Sequence, residues 1–412
     1  MRLLVTAAIQ LFVGLAALDG SRAADAAFAE FLRALRPEAE ALGVSRATFE
    51  RATRDLAPDL SLPDLVIPGR PERPEAGQAE FVQTPAQYLD ERNLARMAEQ
   101  GRRLAAQHRE TLARMERQFG VPGPIILAVW GRETGYGGAK LPHNAIRALA
   151  TQAYLGRRKE QFRHEFLLAL KMVEEGHARI ADMRSSWAGA MGLTQLLPSD
   201  FYKSAVDFDA DGRIDIWHSA PDALASAAKQ LVVKGWQRGR RWAHEVRVPE
   251  NVDCTIAHPG FVRPMREWIE QGYAPADGRK LDRAALDEAA SLLMPEGAYG
   301  PAFLTPKNYF VLKDYNFSDL YVLFVGNLAD RIAGGGAFKT PWSKNKQLRA
   351  AEVETMQRRL AQLGLYQDKI DGKAGMLTRS ALGAYQKANG LKLDCWPTAA
   401  VLRHMQASAG SN

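Results

Sequence analysis

The segment Val121-Pro-Gly-Pro-Ile-Ile-Leu-Ala-Val-Trp-Gly-Arg-Glu-Thr-Gly-Tyr-Gly-Gly138 places the tightest constraint on how this chain can fold. Pro122 and Pro124 suit a helix start, and the glycines from Gly135 to Gly138 must end it. Helical periodicity sets Glu133 on the same face as Ile126, Val129 and Trp130, at spacings of seven, four and three. That face is apolar, which desolvates the carboxyl. Glu133 also lies at the helix C-terminus, where the macrodipole is negative. Both effects disfavour the carboxylate, and a protonated carboxyl is what a general acid needs. The residues alone leave a second reading open, a glutamate that is solvated or paired with Arg132 or Lys140.

The chain has 412 residues, 46% of them hydrophobic, enough for one large core and a smaller second one. A quarter of the residues are charged, which excludes a disordered composition. The net charge of +7 suits an acidic partner, but the basic residues are scattered among acids. They read as a solvated surface rather than a nucleic-acid interface. At the N-terminus, Arg2 precedes an apolar run from Leu3 to Leu18, and small residues follow around Ser21, Ala23 and Ala24. This is the order of a secretory signal, expected over residues 1–23, with retention as a membrane anchor as the alternative. The processed chain is expected to be an exported, periplasmic monomer with no stable membrane span. Cys254 and Cys395 fall in what read as different domains, nothing in their spacing demands a bond, and two unpaired thiols are expected. The sequence has no CxxC or HExxH pattern, so zinc catalysis finds no support.

Most of the chain carries helical periodicity, notably from Phe28 to Leu56, Tyr88 to Phe119, Phe162 to Glu175 and Ala220 to Lys234. Val246, Val248 and Val252 alternate with polar residues and predict a strand. Gly334-Gly335-Gly336, Pro341 and Ser343-Lys344-Asn345-Lys346 read as a break and a polar linker over 341–349. A compact unit of three helices follows over 350–406, at roughly Ala351 to Leu363, Leu377 to Asn389 and Thr398 to Met405.

Six motifs in a fixed order resemble the lytic murein transglycosylases of the membrane-bound lytic transglycosylase B type. They are Gln78-Ala-Glu-Phe81, Glu133-Thr-Gly-Tyr-Gly137, Ser186-Trp-Ala-Gly-Ala-Met-Gly-Leu-Thr-Gln195, Asp207-Phe-Asp-Ala-Asp-Gly-Arg213, Gly300-Pro-Ala-Phe-Leu304 and Tyr315-Asn316. The resemblance implies a mainly α, lysozyme-like catalytic domain with a minor β element over 24–340. It also implies cleavage of the β-1,4 bond between N-acetylmuramic acid and N-acetylglucosamine in the glycan strands of peptidoglycan. Glu133 matches the one glutamate that protonates the leaving oxygen and then takes the proton of the muramic acid C6 hydroxyl, leaving a 1,6-anhydro sugar. No cofactor is required for that chemistry. By the same resemblance Ser186, Gln195, Tyr309 and Tyr315 line the glycan groove, with Gly189 and Gly192 letting the backbone approach a ligand. Close packing of a helix-to-loop turn is the alternative for the glycines, and an ordinary core-edge position for each tyrosine.

Asp207, Asp209, Asp211 and Gly212 fall at positions one, three, five and six of an EF-hand loop, with Arg213 offering its carbonyl. Position twelve is His218 rather than a bidentate glutamate. The resemblance implies closure by a later aspartate, matched by Asp222, and calcium as a structural ion; an acidic turn holding no metal is the alternative. The segment 350–405, with Val353-Glu-Thr-Met-Gln-Arg-Arg-Leu360, Gly364-Leu-Tyr366 and Ile370-Asp-Gly372, resembles the peptidoglycan-binding domain of wall enzymes. It departs at Asp394-Cys-Trp-Pro-Thr398, where Cys395 stands at a position usually held by glycine. The expectation is a wall-binding tether. Two other functions remain open from the sequence: a non-catalytic glycan-binding scaffold, and a hydrolytic lysozyme on the same fold.

Overall fold

The computed structural model describes residues 26–71, 83–345 and 348–408. The expected signal segment and the Gln78–Phe81 motif lie outside the described residues. The fold is mainly helical with a five-stranded sheet and a two-stranded ribbon among the described residues, and it divides into two compact units.

The first unit joins the chain up to residue 76 with Glu133–Gln230. A helix over 26–41 and the helix Arg46–Thr53 lead into it, the latter capped by the Ser45 side chain on the Thr48 amide. Its centre is an antiparallel pair of helices, Ala145–Leu155 and Lys159–Glu174. Ile146, Leu149, Phe162, Phe166 and Leu170 from that pair are buried together with Phe28, Met191, Phe201 and Ile216. A two-stranded ribbon, His143–Asn144 against Arg184–Ser185, ties the start of the pair to the loop that follows it.

The second unit contains 77–132 and 231–412. Here the helix Glu91–Gln107 packs along Asp319–Ile332, and the two are joined by a bidentate pair from Arg331 to Glu91 at 2.6 and 2.7 Å. The sheet is antiparallel throughout, in the order Arg263–Pro264, Ala289–Leu293, Ala302–Thr305, His244–Arg247, Ala274–Pro275. The alternating valines therefore do mark a strand, although only Val246 of the three lies inside it. Val246, Leu292 and Leu304 share one face with Trp268 and Met265, while Phe303 packs toward Trp242 and Phe338 from the other.

The C-terminal helices Ala350–Gln362, Met376–Ala388 and Ala399–Ala407 close around Met356, Leu360, Leu382, Tyr385, Leu402 and Met405. Two buried glutamines hold its loops. Gln357 accepts from the Asp371 and Gly372 amides, and Gln386 accepts from those of Asp394 and Cys395.

One expectation about this region is corrected. The cysteines are not free thiols, because Cys254 and Cys395 form a disulfide across 141 residues. The module is also bonded to the segments around Cys254 and Ala298. Ser380 donates to the Thr255 carbonyl at 2.6 Å, Lys387 pairs with Asp253 at 2.9 Å, and the Ala298 amide donates to the Asp394 carbonyl at 2.9 Å. Even the expected linker is held, with the Ser343 amide on the Glu296 carboxylate at 2.7 Å. Both cysteines are 1% exposed in one shared apolar cluster, which is why the module docks rather than swings.

Candidate active site

The helix expected from the Pro- and Gly-bounded segment runs Gly123–Thr134. It is buried on every side rather than along one stripe: Ile126, Leu127, Ala128 and Val129 are all 0% exposed. Three consecutive left-handed residues end it, Gly135, Tyr136 and Gly137, with φ of 59°, 61° and 83°. Glu133 is half-buried in the last turn. Its neighbour Arg132 donates to the Tyr88 hydroxyl at 2.9 Å, and its guanidinium lies over the Tyr88 and Phe324 rings.

Thr134 supplies the link from this turn to the glycine-rich loop. Its buried hydroxyl donates to the Leu193 carbonyl at 2.7 Å and accepts from the Gly137 amide at 3.1 Å. Glu133 and the loop Ser186–Gln195 are thereby brought together. Within the loop, Ser186 Oγ accepts from the Ala190 amide, and Gln195 Nε2 donates to the Gly192 carbonyl at 3.0 Å. Both side chains are half-buried, and Gln195 holds a left-handed φ of 56°. The glycines have a different role from backbone approach to a ligand. A Cβ on Gly189 would sit 2.2 Å from Leu149, and one on Gly192 would sit 2.4 Å from the Ile216 carbonyl oxygen. They are required by packing.

Tyr309 departs from the expected groove position. It is 0% exposed and its hydroxyl donates to Asp319 at 2.6 Å, so its ring presents no face to a sugar. The burial comes from its place on the inward side of the helix Lys307–Asn316. Tyr315, on the same helix, is half-buried and stacks on Tyr321 with ring centroids 6.2 Å apart.

Asp207, Asp209 and Asp211 converge, with one carboxylate oxygen of each within 4.8 Å of the others. Asp207 also accepts from the Gly212 amide at 2.9 Å, which holds the loop turned around them. An all-oxygen, three-carboxylate set suits a hard divalent cation such as calcium. Asp222 stands apart from that set. It is 1% exposed, and its oxygens accept from the Phe208, Asp209 and Asp215 amides. It fixes the loop backbone instead of facing the aspartates, a role that follows from its burial in the first turn of Ala220–Val233. Arg213 lies in the loop, its amide on Asp211 at 2.8 Å.

Sequence reasoning passed over Tyr136 and Thr134. Burial pushes the Tyr136 phenol well above its ordinary pKa, and its position between two glycines was the available signal.

Residues 27–330 match the family model of the transglycosylase SLT domain, and residues 349–410 match that of a peptidoglycan binding domain. The chain belongs to the SLT transglycosylase domain family. SltB3 from Pseudomonas aeruginosa, solved in complex with NAG-anhNAM-pentapeptide, is 36% identical, with a TM-score of 0.80 over 92% of this chain and 99% of that one. Membrane-bound lytic murein transglycosylase B of Escherichia coli (strain K12) is 29% identical over 228 residues, 55% of this chain and 61% of that relative's length. Lytic transglycosylase Slt35 of Escherichia coli, solved in complex with calcium, is 26% identical, with a TM-score of 0.52 over 61% of this chain and 80% of that one. This SLT-domain chain thus pairs its family's helical fold with a docked C-terminal module. Among the described residues no helix is long and apolar enough to cross a membrane.

Proposed function

We propose that this chain is a periplasmic lytic transglycosylase that cleaves the β-1,4 bond between N-acetylmuramic acid and N-acetylglucosamine in peptidoglycan. The observation that carries the reading is Glu133, a half-buried carboxyl at the end of a fully packed helix, anchored through Thr134 to the loop of Ser186 and Gln195. Glu133 gives its proton to the glycosidic oxygen as the bond from C1 breaks. The C6 hydroxyl oxygen of the same muramic acid then bonds to C1, and its proton returns to Glu133. The products are a 1,6-anhydro end and a new sugar hydroxyl, with no water consumed. The substrate's own acetamido group stabilises the charge at C1, and Ser186 and Gln195 position the sugar amides. Calcium, held by Asp207, Asp209 and Asp211, supports the loop and takes no part in the proton transfers.

Replacing Glu133 by Gln removes the transferable proton while keeping the shape. The variant is expected to lose about 10²-fold or more of its turnover. Mass spectrometry of digested peptidoglycan reads the products directly. Normal release of anhydro ends by Glu133→Gln would remove Glu133 as the acid, no release of ends by the parent chain would leave a scaffold function standing, and reducing muramic ends from the parent chain would make it a hydrolase.

A further inference from the structure

Arg379, on the module helix Met376–Ala388, pairs outside its own module with Asp319, the first residue of the helix Asp319–Ile332. The pair is enclosed: the two side chains are 9% and 14% exposed, with Nη2 3.7 Å from Oδ2. The other carboxylate oxygen accepts from the Tyr309 hydroxyl at 2.6 Å and from the Lys313 ammonium at 2.7 Å. Lys313 in turn reaches the sulfur of Met376, at the start of the same module helix, at 3.9 Å. One carboxylate therefore ties together the helix Lys307–Asn316, the start of Asp319–Ile332 and the module. Enclosing charges costs solvation, so such a pair adds little net stability over an apolar contact. What it fixes is position.

Tyr309 and Lys313 stand four residues apart and share one face of Lys307–Asn316. Tyr315 follows Lys313 by two residues, about 200° further round the helix, on the other side. A clamp on the first face thus sets the rotation of the helix and the direction in which Tyr315 projects. Tyr315 stacks on Tyr321, two residues past Asp319, with the rings 6.2 Å apart and 9° from parallel. Between the two helices Phe317 takes a φ of 61°, its amide on the Lys313 carbonyl. A left-handed phenylalanine persists only where its surroundings over-determine the backbone. Asp319, two residues on, supplies that constraint through its three partners.

We infer that Arg379 is a positioning residue for the transglycosylase reaction: through Asp319 it sets the helix that aims Tyr315 into the glycan groove. The inference rests on the proposed function and on Tyr315 as a groove residue. Among the partners of Asp319, Arg379 is the one that comes from a remote segment. Tyr309 and Lys313 belong to the helix being held, so they orient it only relative to Asp319. Arg379 holds Asp319 itself. Its own guanidinium is anchored within the module by a bond from Nη1 to the Ala374 carbonyl, so it acts as a fixed reference rather than a mobile counter-ion. The module thereby takes part in the reaction without touching the reacting sugar.

Kinetics of the full chain on a short soluble glycan test this, so that anchoring on insoluble wall plays no part. The substrate is the peptide-free tetrasaccharide of alternating N-acetylglucosamine and N-acetylmuramic acid. Arg379→Met keeps much of the side chain's length and deletes its charge. It is expected to raise KM about tenfold with kcat near the parent's, because a displaced Tyr315 weakens ground state and transition state alike. Arg379→Lys, which keeps a cation, should recover most of that loss. Simple destabilisation has a different signature, since unfolded protein lowers the apparent kcat and leaves KM alone. Leu382→Ala, in the module core, supplies that comparison. In a Tyr315→Leu background, Arg379→Met should add no further rise in KM. An unchanged KM in Arg379→Met, an equal rise with and without Tyr315, or the same rise from Leu382→Ala overturns the inference. Calorimetry with the N-acetylglucosamine tetramer keeps the two readings apart. Affinity that falls about tenfold in Arg379→Met while the parent releases no anhydro ends would count against the proposed reaction alone. Equal affinity in parent and variant, or none in either, counts against the positioning role whatever the turnover.

Discussion

Tyr136, Gln195, Phe317 and Cys395 all hold left-handed backbone, with φ of 61°, 56°, 61° and 53°, though none is a glycine. Each such residue carries a penalty of roughly 1–3 kcal/mol that its surroundings must offset. Tyr136 and Gln195 flank the Thr134 link, Phe317 ends the helix Lys307–Asn316, and Cys395 is covalently held. The sequence signalled the last of these, since Cys395 replaces a residue type suited to a turn. It did not signal Phe317, because nothing in an Asn-Phe-Ser run specifies a conformation that tertiary packing imposes. A different residue governs pH response. Burial pushes the His244 imidazole down to about 4, helped by Arg241 and opposed by Asp282 and Asp277. The folded state therefore binds fewer protons than the unfolded one between about 4 and the ordinary value of 6.5. Stability from this group is complete above 6.5, falls as pH drops through that window, and levels off below 4. Melting curves of the parent and of His244→Gln across this range should diverge most at high pH and converge toward the acid end. Parallel curves would sink the assignment.

Elements were legible where periodicity was strong. Lys159–Glu174 and Ala220–Val233 coincide closely with the apolar spacing that predicted them. The Gly135–Gly138 stop was equally readable, because consecutive glycines leave a helix no reason to continue. What periodicity could not show is which faces would be covered. Gly123–Thr134 is packed all round, Tyr309 is enclosed, and Gly189 and Gly192 abut the core, since those outcomes depend on neighbours remote in sequence. The acidic loop is a middle case. Its three aspartates were evident from spacing, whereas the buried duty of Asp222 was not. With its ligand atoms gathered and Asp222 pinning the backbone, the loop should gain stability from calcium. Adding the ion at a large excess over its dissociation constant should raise the melting temperature of the parent, corresponding to about 3 kcal/mol at a hundredfold excess. Asp209→Asn should lose most of that rise. An identical melting temperature with calcium and with chelator would remove the ion from the account.

At the scale of the whole chain, the decisive contact is the one least visible beforehand. A bond across 141 residues leaves no local trace in the sequence. In the chain-entropy picture, closing a loop of that length stabilises the fold by on the order of 4–5 kcal/mol. Reduction, or the Cys254→Ser/Cys395→Ser double variant, should lower the melting temperature by several degrees. Hydrogen bonds from Ser380 and Ala298, together with the Lys387–Asp253 pair, should still keep the module in place. An unchanged melting temperature after verified reduction would show the bond to be energetically idle.

A module docked in this way is hard to exchange between enzymes as a separate piece. Cutting at the 341–349 stretch would strip Asp394 of its partners on the Gly297–Tyr299 turn and leave Asp319 without Arg379. Recombination in this lineage would therefore have to carry the sheet and the module as one heritable block, or else redesign both cut faces at once.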